Sequence, residues 1–149
     1  MRLNLGANDR NFPGFTSVDI APPADVIADL REPWPWAESS IEEIRAWDVI
    51  EHLPDKIHTM NEAFRVLVPG GLFDIEVPTT DGRGAWQDPT HTSWWNLNSF
   101  MYFEAGNAHL TRFAPANGVL CAFKIRQAIE TLHPDQVWKL RIILQAVKP

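Results

Sequence analysis

The chain has 149 residues, of which 45% are hydrophobic and 21% are charged, and its formal net charge at pH 7 is −6. This length suits one domain with one hydrophobic core, and the composition is typical of globular proteins, which argues against wholesale disorder. We therefore expect a single domain over residues 1–149. A negative surface repels phosphate backbones, so nucleic acid is not an expected partner.

Cysteine content and hydropathy limit the cellular setting. The one cysteine, Cys121, excludes an internal disulfide framework and a cysteine-rich zinc site. No apolar run approaches the length of a membrane span, and the first residues contain no apolar signal region. The expectation is a cytoplasmic protein without a membrane partner.

Short apolar runs separated by turn signals open the chain. They predict strands over residues 3–5, 16–20 and 25–28, with a glycine turn after the first and two prolines between the second and the third. Residues 39–43 are compatible with a helical turn, and residues 44–50 with a central strand. A helix that begins at Pro54 and Asp55 carries apolar residues at helical spacing and is expected to end at residues 69–71.

The second half of the chain alternates between strands and a long aromatic segment. Residues 72–77 predict a strand, residues 97–103 a helix, and residues 119–131 and 137–147 two long strands. The last two strands are joined by a turn at residues 133–135, so they should pair antiparallel. This order predicts an α/β fold with a Rossmann-like, mostly parallel sheet and a C-terminal antiparallel hairpin.

Three residues follow the predicted strands in positions that suit ligand binding. Gly6 comes after the first strand, Asp19 ends the second and Asp29 follows the third. In parallel sheets, ligands bind at the carboxyl ends of the strands. A glycine lets the backbone approach a ligand closely, and an acidic residue after the second strand can accept hydrogen bonds from ribose hydroxyls.

Several segments, taken together, resemble the class I S-adenosylmethionine-dependent methyltransferases. The helix-to-strand turn at residues 63–71 is the most specific of them. The resemblance covers residues 3–103 well, and the terminal strand pair is similar to the reversed hairpin of that family. The segments are residues 3–8 (LNLGAN), 17–20 (SVDI), 28–30 (ADL), 47–53 (WDVIEHL), 63–71 (AFRVLVPGG), 86–91 (WQDPTH) and 99–100 (SF).

The resemblance implies S-adenosylmethionine as the cofactor and assigns a role to several residues. Gly6 would border the methionine part, with Asn8 in the same loop where the family usually has a second glycine. Asp19 would hold the ribose. The remaining implied cofactor residues are Asp29 and Leu30, which would flank the adenine, and Asp48, which would lie close to the sulfonium.

The connections between the first three strands are too short for crossover helices. We therefore expect a three-layer architecture with reduced helical cover on one sheet face. Charged residues alternate with apolar ones in the last three predicted strands, which indicates a face open to water where acids of the fifth strand lie near bases of the hairpin. A second copy of the chain, in a homodimer, is one way to cover such a face.

For a catalytic base, the candidates are His52, Asp88 and His91. His91 and Asp88 stand in the segment after the fifth predicted strand, where an acceptor would meet the cofactor, and a histidine can take a proton from a hydroxyl near neutral pH. The five histidines show no metal-ligand spacing, such as a pair at i and i+4, so no metal is expected.

Two functional hypotheses follow. One is a methyltransferase for a small-molecule or sugar acceptor, with the acceptor pocket shaped by aromatic residues. The other is a methyltransferase-like binding or regulatory module that binds the cofactor poorly or not at all and serves as a partner domain, which Asn8 and the short connections favour. A nucleotide-binding oxidoreductase is a third and weaker alternative, because the loop has no third glycine. The aromatic residues of the first hypothesis are Trp86, Trp94, Trp95 and Phe103.

Overall fold

The computed structural model describes the backbone of residues 1–149 and the side chains of residues 1–108 and 112–149. Its strands are β1 (Arg2–Leu5), β2 (Thr16–Asp19), β3 (Val26–Ile27), β4 (Ile41–Trp47), β5 (Leu67–Pro78), β6 (Phe123–Leu132) and β7 (Trp138–Ala146). Its helices are α1 (Lys56–Val66), α2 (Gly84–Gln87), α3 (Leu97–Met101) and α4 (Ala108–Phe113), with short 3-10 helices at Ile50–His52 and Pro115–Asn117.

The strands form one seven-stranded sheet in the order β3-β2-β1-β4-β5-β7-β6. Strands β1 to β5 pair in parallel, whereas β7 is antiparallel to both β5 and β6. The predicted fold class, a mostly parallel sheet with a C-terminal antiparallel hairpin, is therefore confirmed. Among the residues whose placement is described, no helix combines the length and apolar composition needed to cross a membrane.

Helix α1 covers one face of the sheet and forms where the sequence predicted a helix. The Asp55 side chain caps it by accepting a hydrogen bond from the backbone N–H of His58 at 2.9 Å. Its apolar side, with Met60, Ala63 and Val66 fully buried, belongs to the same core as the apolar residues of β5. Burial of this side stabilises the helix through the hydrophobic effect.

Two predicted boundaries were wrong around the central strand. Strand β4 spans Ile41–Trp47, so residues 41–43 are extended and not a helical turn, and Ile50 begins a 3-10 helix. The physical reason is that Ile41 is fully buried and pairs with Leu67 across the sheet. Helix α1 ends at Val66, and residues 69–71 therefore lie within β5.

Loop residues replace helices on the opposite face of the sheet. Phe12 and Phe15, in the connection between β1 and β2, contact the guanidinium of Arg45, with ring centroids at 4.4 and 4.6 Å from its Cζ. Trp47 contacts the same guanidinium at 4.6 Å. These cation–π contacts cover part of a face that has few helices.

Acids of β5 do lie beside bases of β7 on this face, as predicted. The Asp74 carboxylate accepts hydrogen bonds from Nε and Nη2 of Arg141 at 3.0 and 2.8 Å, and Lys139 Nζ donates to Glu76 at 3.3 Å. The expected openness to water is wrong at Asp74, which is only 4% exposed because Arg141, Arg45 and Trp47 surround it. Openness does hold along β6, where most side chains are exposed.

Replacing Arg141 with alanine should lower the free energy of unfolding by about 1–3 kcal/mol, because the buried Asp74 carboxylate loses two charge-assisted hydrogen bonds. Urea unfolding followed by circular dichroism measures this. The matched control is Arg126→Ala on exposed β6, where the side chain donates to Oε1 of Gln145 and a change below about 0.5 kcal/mol is expected. Equal losses in the two variants would contradict the importance of the Asp74 contact.

Candidate active site

The carboxyl ends of β1 to β4 meet at one edge of the sheet and form a cleft of about 380 Å³. For each of these strands, either its last residue or one of the next two residues lines the cleft. Five of the residues predicted from the sequence are thus brought together, and Asn8 is not among the lining residues. The lining residues are Gly6, Asp19, Ile20, Ala28, Asp29, Leu30, Arg31, Asp48, Val49, His52 and Leu53.

Gly6 is required at its position for two independent reasons. Its φ is +57°, in the left-handed region that L side chains rarely adopt, and a Cβ placed on it would lie 2.4 Å from Cγ2 of Val49. Val49 is itself buried at the start of the segment after β4. The first strand and the fourth therefore approach each other closely at the floor of the cleft.

Asn8 supports the cleft through its backbone. Its N–H donates to Oδ2 of Asp19 at 2.9 Å, and the backbone N–H of Ala21 donates to Oδ1 at 3.3 Å. Asn8 takes a φ of 48°, which asparagine tolerates better than most residues, and it is exposed. These bonds fix the Asp19 carboxylate, which keeps further lone pairs to accept hydrogen bonds.

Asp29 is held by a neighbouring cation at the rim of the cleft. Nε of Arg31 donates to both carboxylate oxygens, at 2.9 and 3.1 Å, and Nη2 donates to Oδ2 at 2.6 Å. These hydrogen bonds, with a backbone one from Arg31, lower the pKa of the Asp29 carboxyl to about 2. Asp29 is therefore ionised throughout the physiological range.

Asp48 connects the cleft to the charged face of the sheet. Its carboxylate accepts hydrogen bonds from Nζ of Lys139 at 2.8 and 2.7 Å, and the same Nζ donates to Glu76 at 3.3 Å. Asp48 has a φ of 55°, and its backbone N–H donates to the Glu76 carbonyl at 2.8 Å. The Asp48 carboxylate is thus held by Lys139, whose single charge it shares with Glu76, and it also lies 3.9 Å from Nη1 of Arg10.

A second pocket of about 240 Å³ adjoins the cleft, and Asp48 and His52 line both. It contains His91 and Asp88, the two predicted catalytic residues, and it also contains Lys139 from β7. The full lining is Asp48, Glu51, His52, Pro78, Gly84, Gln87, Asp88, His91, Asp135, Val137 and Lys139.

The imidazole of His91 is oriented by the backbone. Its Nδ1 lies 2.9 Å from the carbonyl oxygen of Ala85, and because a carbonyl only accepts, Nδ1 carries the proton. The lone pair is then on Nε2, which lies 3.7 Å from Oδ2 of Asp88. The other oxygen of Asp88 accepts from the N–H and Oγ–H of Thr90 at 2.8 and 2.7 Å.

Glu51 is a residue of this pocket that the sequence analysis did not identify as functional. It is 3% exposed, and among the described residues its Oε2 is buried without a hydrogen-bond partner. Burial raises the pKa of its carboxyl to about 7. Its position in the sequence could have indicated a role, since Glu51 lies between Asp48, a predicted cofactor residue, and His52, a candidate catalytic base.

The aromatic residues expected to shape the acceptor pocket are placed elsewhere. Trp95 and Phe103 belong to the core, where Trp95 stacks on Phe100 with ring centroids 4.8 Å apart. Trp86 and Trp94 stack on each other at 5.6 Å and are 60% and 41% exposed. The expectation is wrong for Trp95 and Phe103, because burial of these rings in the core keeps them from lining a pocket, and it stays a prediction for Trp86 and Trp94.

The prediction that no metal binds was based on the spacing of histidines along the chain. The fold brings His52 and His91 together, however, with ring centroids 5.0 Å apart. A carboxylate oxygen of Glu51 and one nitrogen of each imidazole lie within 4.8 Å of one another. Sequence spacing does not exclude such a group, because its members come from segments that only the fold makes adjacent.

Removing Arg31 should return the pKa of Asp29 from about 2 toward its ordinary value of 3.8, because the hydrogen bonds that favour the carboxylate are lost. Arg31→Ala followed by a carboxyl chemical-shift titration tests this. The ion pair should be complete above about pH 3.8 and disappear as the pH falls through 2. The pKa of Asp88, lowered by its hydrogen bonds to Thr90, is the internal control and should not move.

Comparison with known proteins gives one match in sequence and many in fold. No known protein-family model matches the chain. Over 62 residues it is 37% identical to a protein of Mycolicibacterium smegmatis named "Probable S-adenosylmethionine-dependent methyltransferase", a match over 39% of this chain and 24% of that protein. The chain thus spans about a quarter of the length of that curated relative.

Two solved structures share the fold over almost the whole chain. One is the complex of the Trm112 methyltransferase activator of Haloferax volcanii with a methyltransferase, with a TM-score of 0.70 and 14% identity over 99% of this chain and 82% of that one. The other is 1,6-didemethyltoxoflavin-N1-methyltransferase of Burkholderia thailandensis, with a TM-score of 0.68 and 14% identity over 99% of this chain and 71% of that one. It was solved with bound 1,6-didemethyltoxoflavin and S-adenosylhomocysteine. The resemblance predicted from the sequence is confirmed: the chain has the fold of the class I S-adenosylmethionine-dependent methyltransferases.

Proposed function

We propose that the chain binds S-adenosylmethionine in the cleft and transfers its methyl group to a small-molecule or sugar acceptor in the adjoining pocket. The observation that carries the proposal is that Asp19, Asp29 and Asp48 line one cleft together with Gly6. Its volume of about 380 Å³ lies in the range of small-molecule sites. The structural neighbour that holds S-adenosylhomocysteine supports the choice of ligand.

The residues of the cleft fit an adenosyl group. Asp19, fixed by two backbone N–H groups, is a strong acceptor for the two ribose hydroxyls. Asp29 and Leu30 offer a carboxylate and an apolar side chain to the adenine. S-adenosylmethionine, when bound, supplies a methyl group on a cationic sulfonium, and the Asp48 carboxylate favours a positive charge nearby.

The adjoining pocket suits a polar acceptor. Its volume of about 240 Å³ is small, and most of its lining residues are polar or charged. Hydroxyl and amino groups can form hydrogen bonds with such a lining, which favours a small molecule or a sugar. The net charge of −6 remains unfavourable for a nucleic acid acceptor.

His91 and Asp88 are proposed to handle the acceptor's proton. The lone pair of His91 Nε2 faces the pocket side where Asp88 lies, at 3.7 Å from its Oδ2. A base in this position accepts the proton of an acceptor hydroxyl as the methyl group arrives. Alignment of the acceptor with the methyl group supplies the larger part of the rate.

One observation favours the alternative of a methyltransferase-like binding module without catalysis. Two of the three carboxylates already have cationic partners, since Arg31 holds Asp29 and Lys139 holds Asp48. Carboxylates that are already paired with cations of the protein contribute less free energy to the binding of a cationic ligand. Binding of the cofactor separates the two hypotheses.

Calorimetric titration with S-adenosylmethionine should show saturable binding to one site. Replacing Asp19 with alanine should weaken this binding by at least about 10-fold, because two charge-assisted hydrogen bonds to ribose are lost. The matched control is Asp9→Ala, an exposed aspartate in the same loop that does not line the cleft. Circular dichroism should show both variants folded. No heat at millimolar cofactor would reject the proposal and favour the binding module.

Methyl transfer itself can be followed as S-adenosylhomocysteine released in the presence of a panel of hydroxyl-bearing small molecules and sugars. With an accepted substrate, His91→Gln should reduce turnover by about 100-fold or more, while the affinity for S-adenosylmethionine stays unchanged. His133→Gln, in the turn between β6 and β7 and outside both pockets, should behave as the unmodified protein. A His91 variant with full turnover would remove this residue from the mechanism.

A further inference from the structure

One buried carboxylate oxygen of the pocket lacks a hydrogen-bond partner in the part of the chain that the structure describes. Glu51 is 3% exposed, and its Oε2 has no hydrogen-bond partner among the described residues. Leaving a carboxylate oxygen buried and unpaired costs free energy, so such a group calls for an explanation. The imidazoles of His52 and His91 each place a ring nitrogen within 4.8 Å of a carboxylate oxygen of Glu51, and these groups could share one ligand.

Both imidazoles present the same nitrogen for ligation. His91 directs Nδ1 to the Ala85 carbonyl at 2.9 Å, and His52 directs Nδ1 to the Thr90 carbonyl at 3.2 Å. Each Nδ1 therefore carries the proton, which in His52 is shared between the carbonyl and the hydroxyl oxygen of Thr90, both at 3.2 Å, and each Nε2 keeps a lone pair. Metal-binding histidines typically have this arrangement, in which the second nitrogen donates to a carbonyl that fixes the tautomer and the ring.

The backbone holds the two segments of the cluster together. The carbonyl oxygen of Glu51 accepts hydrogen bonds from the N–H groups of Thr92 and Ser93 at 2.8 and 3.0 Å. The hydroxyl of Ser93 donates to the carbonyl of Ile50 at 2.9 Å. The segment that carries His91 is thus attached directly to the 3-10 helix that carries Glu51 and His52.

We propose that Glu51, His52 and His91 bind a divalent transition-metal ion of the zinc class, with one coordination position open to the acceptor pocket. Two imidazoles and one carboxylate form the ligand set of catalytic zinc sites, whereas magnesium and calcium prefer oxygen ligands. One nitrogen of each imidazole and one carboxylate oxygen lie within 4.8 Å of one another, and ligands of a tetrahedral zinc ion lie roughly 3.4 Å apart. On binding, side-chain rotations of the three residues would have to close this difference.

The charges around the cluster favour a cation. Glu51 supplies one carboxylate, and Asp88 lies 3.7 Å from His91 Nε2. The nearby ammonium of Lys139 is already bonded to the carboxylates of Asp48 and Glu76. A bound cation would give the buried Glu51 oxygen the partner that the fold does not provide.

The open position gives the ion a role that rests on the proposed methyl transfer. It faces a pocket next to the cofactor cleft, so it would bind an oxygen atom of the acceptor and orient it toward the methyl group. A His91 imidazole that binds the ion through Nε2 has no lone pair left for a proton. In the metal-bound protein His91 would act as a ligand, and the proton would pass to Asp88, the other residue proposed above to handle it.

The test is metal binding by the whole chain, measured without any methyl transfer. Protein treated with a chelator and then dialysed is titrated with Zn²⁺ by calorimetry and with Co²⁺ by visible absorption. One equivalent should bind, and Co²⁺ should give intense absorption bands of a low-coordinate site. Glu51→Gln and His91→Gln should each weaken binding by at least about 10-fold. The controls are His58→Gln, which changes a histidine outside the cluster, and His133→Gln.

Binding that is equally strong in the cluster variants and the controls would show a surface ion only and overturn the inference, as would no binding at all. Titration of the metal-free protein with S-adenosylmethionine separates this result from the proposed function. Cofactor binding without metal binding rejects the metal site alone. Metal binding without cofactor binding supports the site and rejects the methyl transfer. Urea unfolding of each variant shows whether it is folded, so that a loss of metal binding is not caused by unfolding.

Discussion

The parallel pairing of four strands is the constraint on which the site depends. Because β1, β2, β3 and β4 run in the same direction, their carboxyl ends meet at one edge, and the residues that follow them face one cleft. The close approach of Gly6 to Val49 sets the distance between the first and fourth of these ends. A side chain at Gly6 would separate them and disturb both the cleft and the pocket beside it.

The charged face of the sheet is connected to the site. Arg141 pairs with Asp74, Lys139 pairs with Glu76, and the same Lys139 reaches Asp48 at the floor of the cleft. The aromatic contacts of Phe12 and Phe15 with Arg45 cover this face, because the connections between the first strands are too short to form crossover helices. This face has charged and aromatic side chains in place of helices. Through Lys139, it positions the Asp48 carboxylate of the candidate site.

Local sequence patterns predicted where the strands end but not which residues from distant segments lie beside those ends. Gly6, Asp19 and Asp29 could be placed because a turn or a strand end is encoded within a few residues, and Asp74 and Glu76 because alternation reports which face a residue occupies. Strand β4 was misplaced because burial of Ile41 is a tertiary effect. The meeting of Glu51 with His91 was missed for a related reason, since hydrogen bonds between distant segments bring them together. The aromatic residues were assigned to the pocket because composition alone does not distinguish a core ring from a ligand-facing one.

The central claim is that the carboxylates at these strand ends form one site for an adenosyl group. A crystal structure of the chain soaked with S-adenosylhomocysteine tests it most directly. We expect the ribose hydroxyls within hydrogen-bond distance of Asp19, the adenine between Asp29 and Leu30, and the sulfur beside Gly6 and Asp48. An adenosyl group bound outside this cleft, or a cleft that stays empty at saturating ligand, would contradict it.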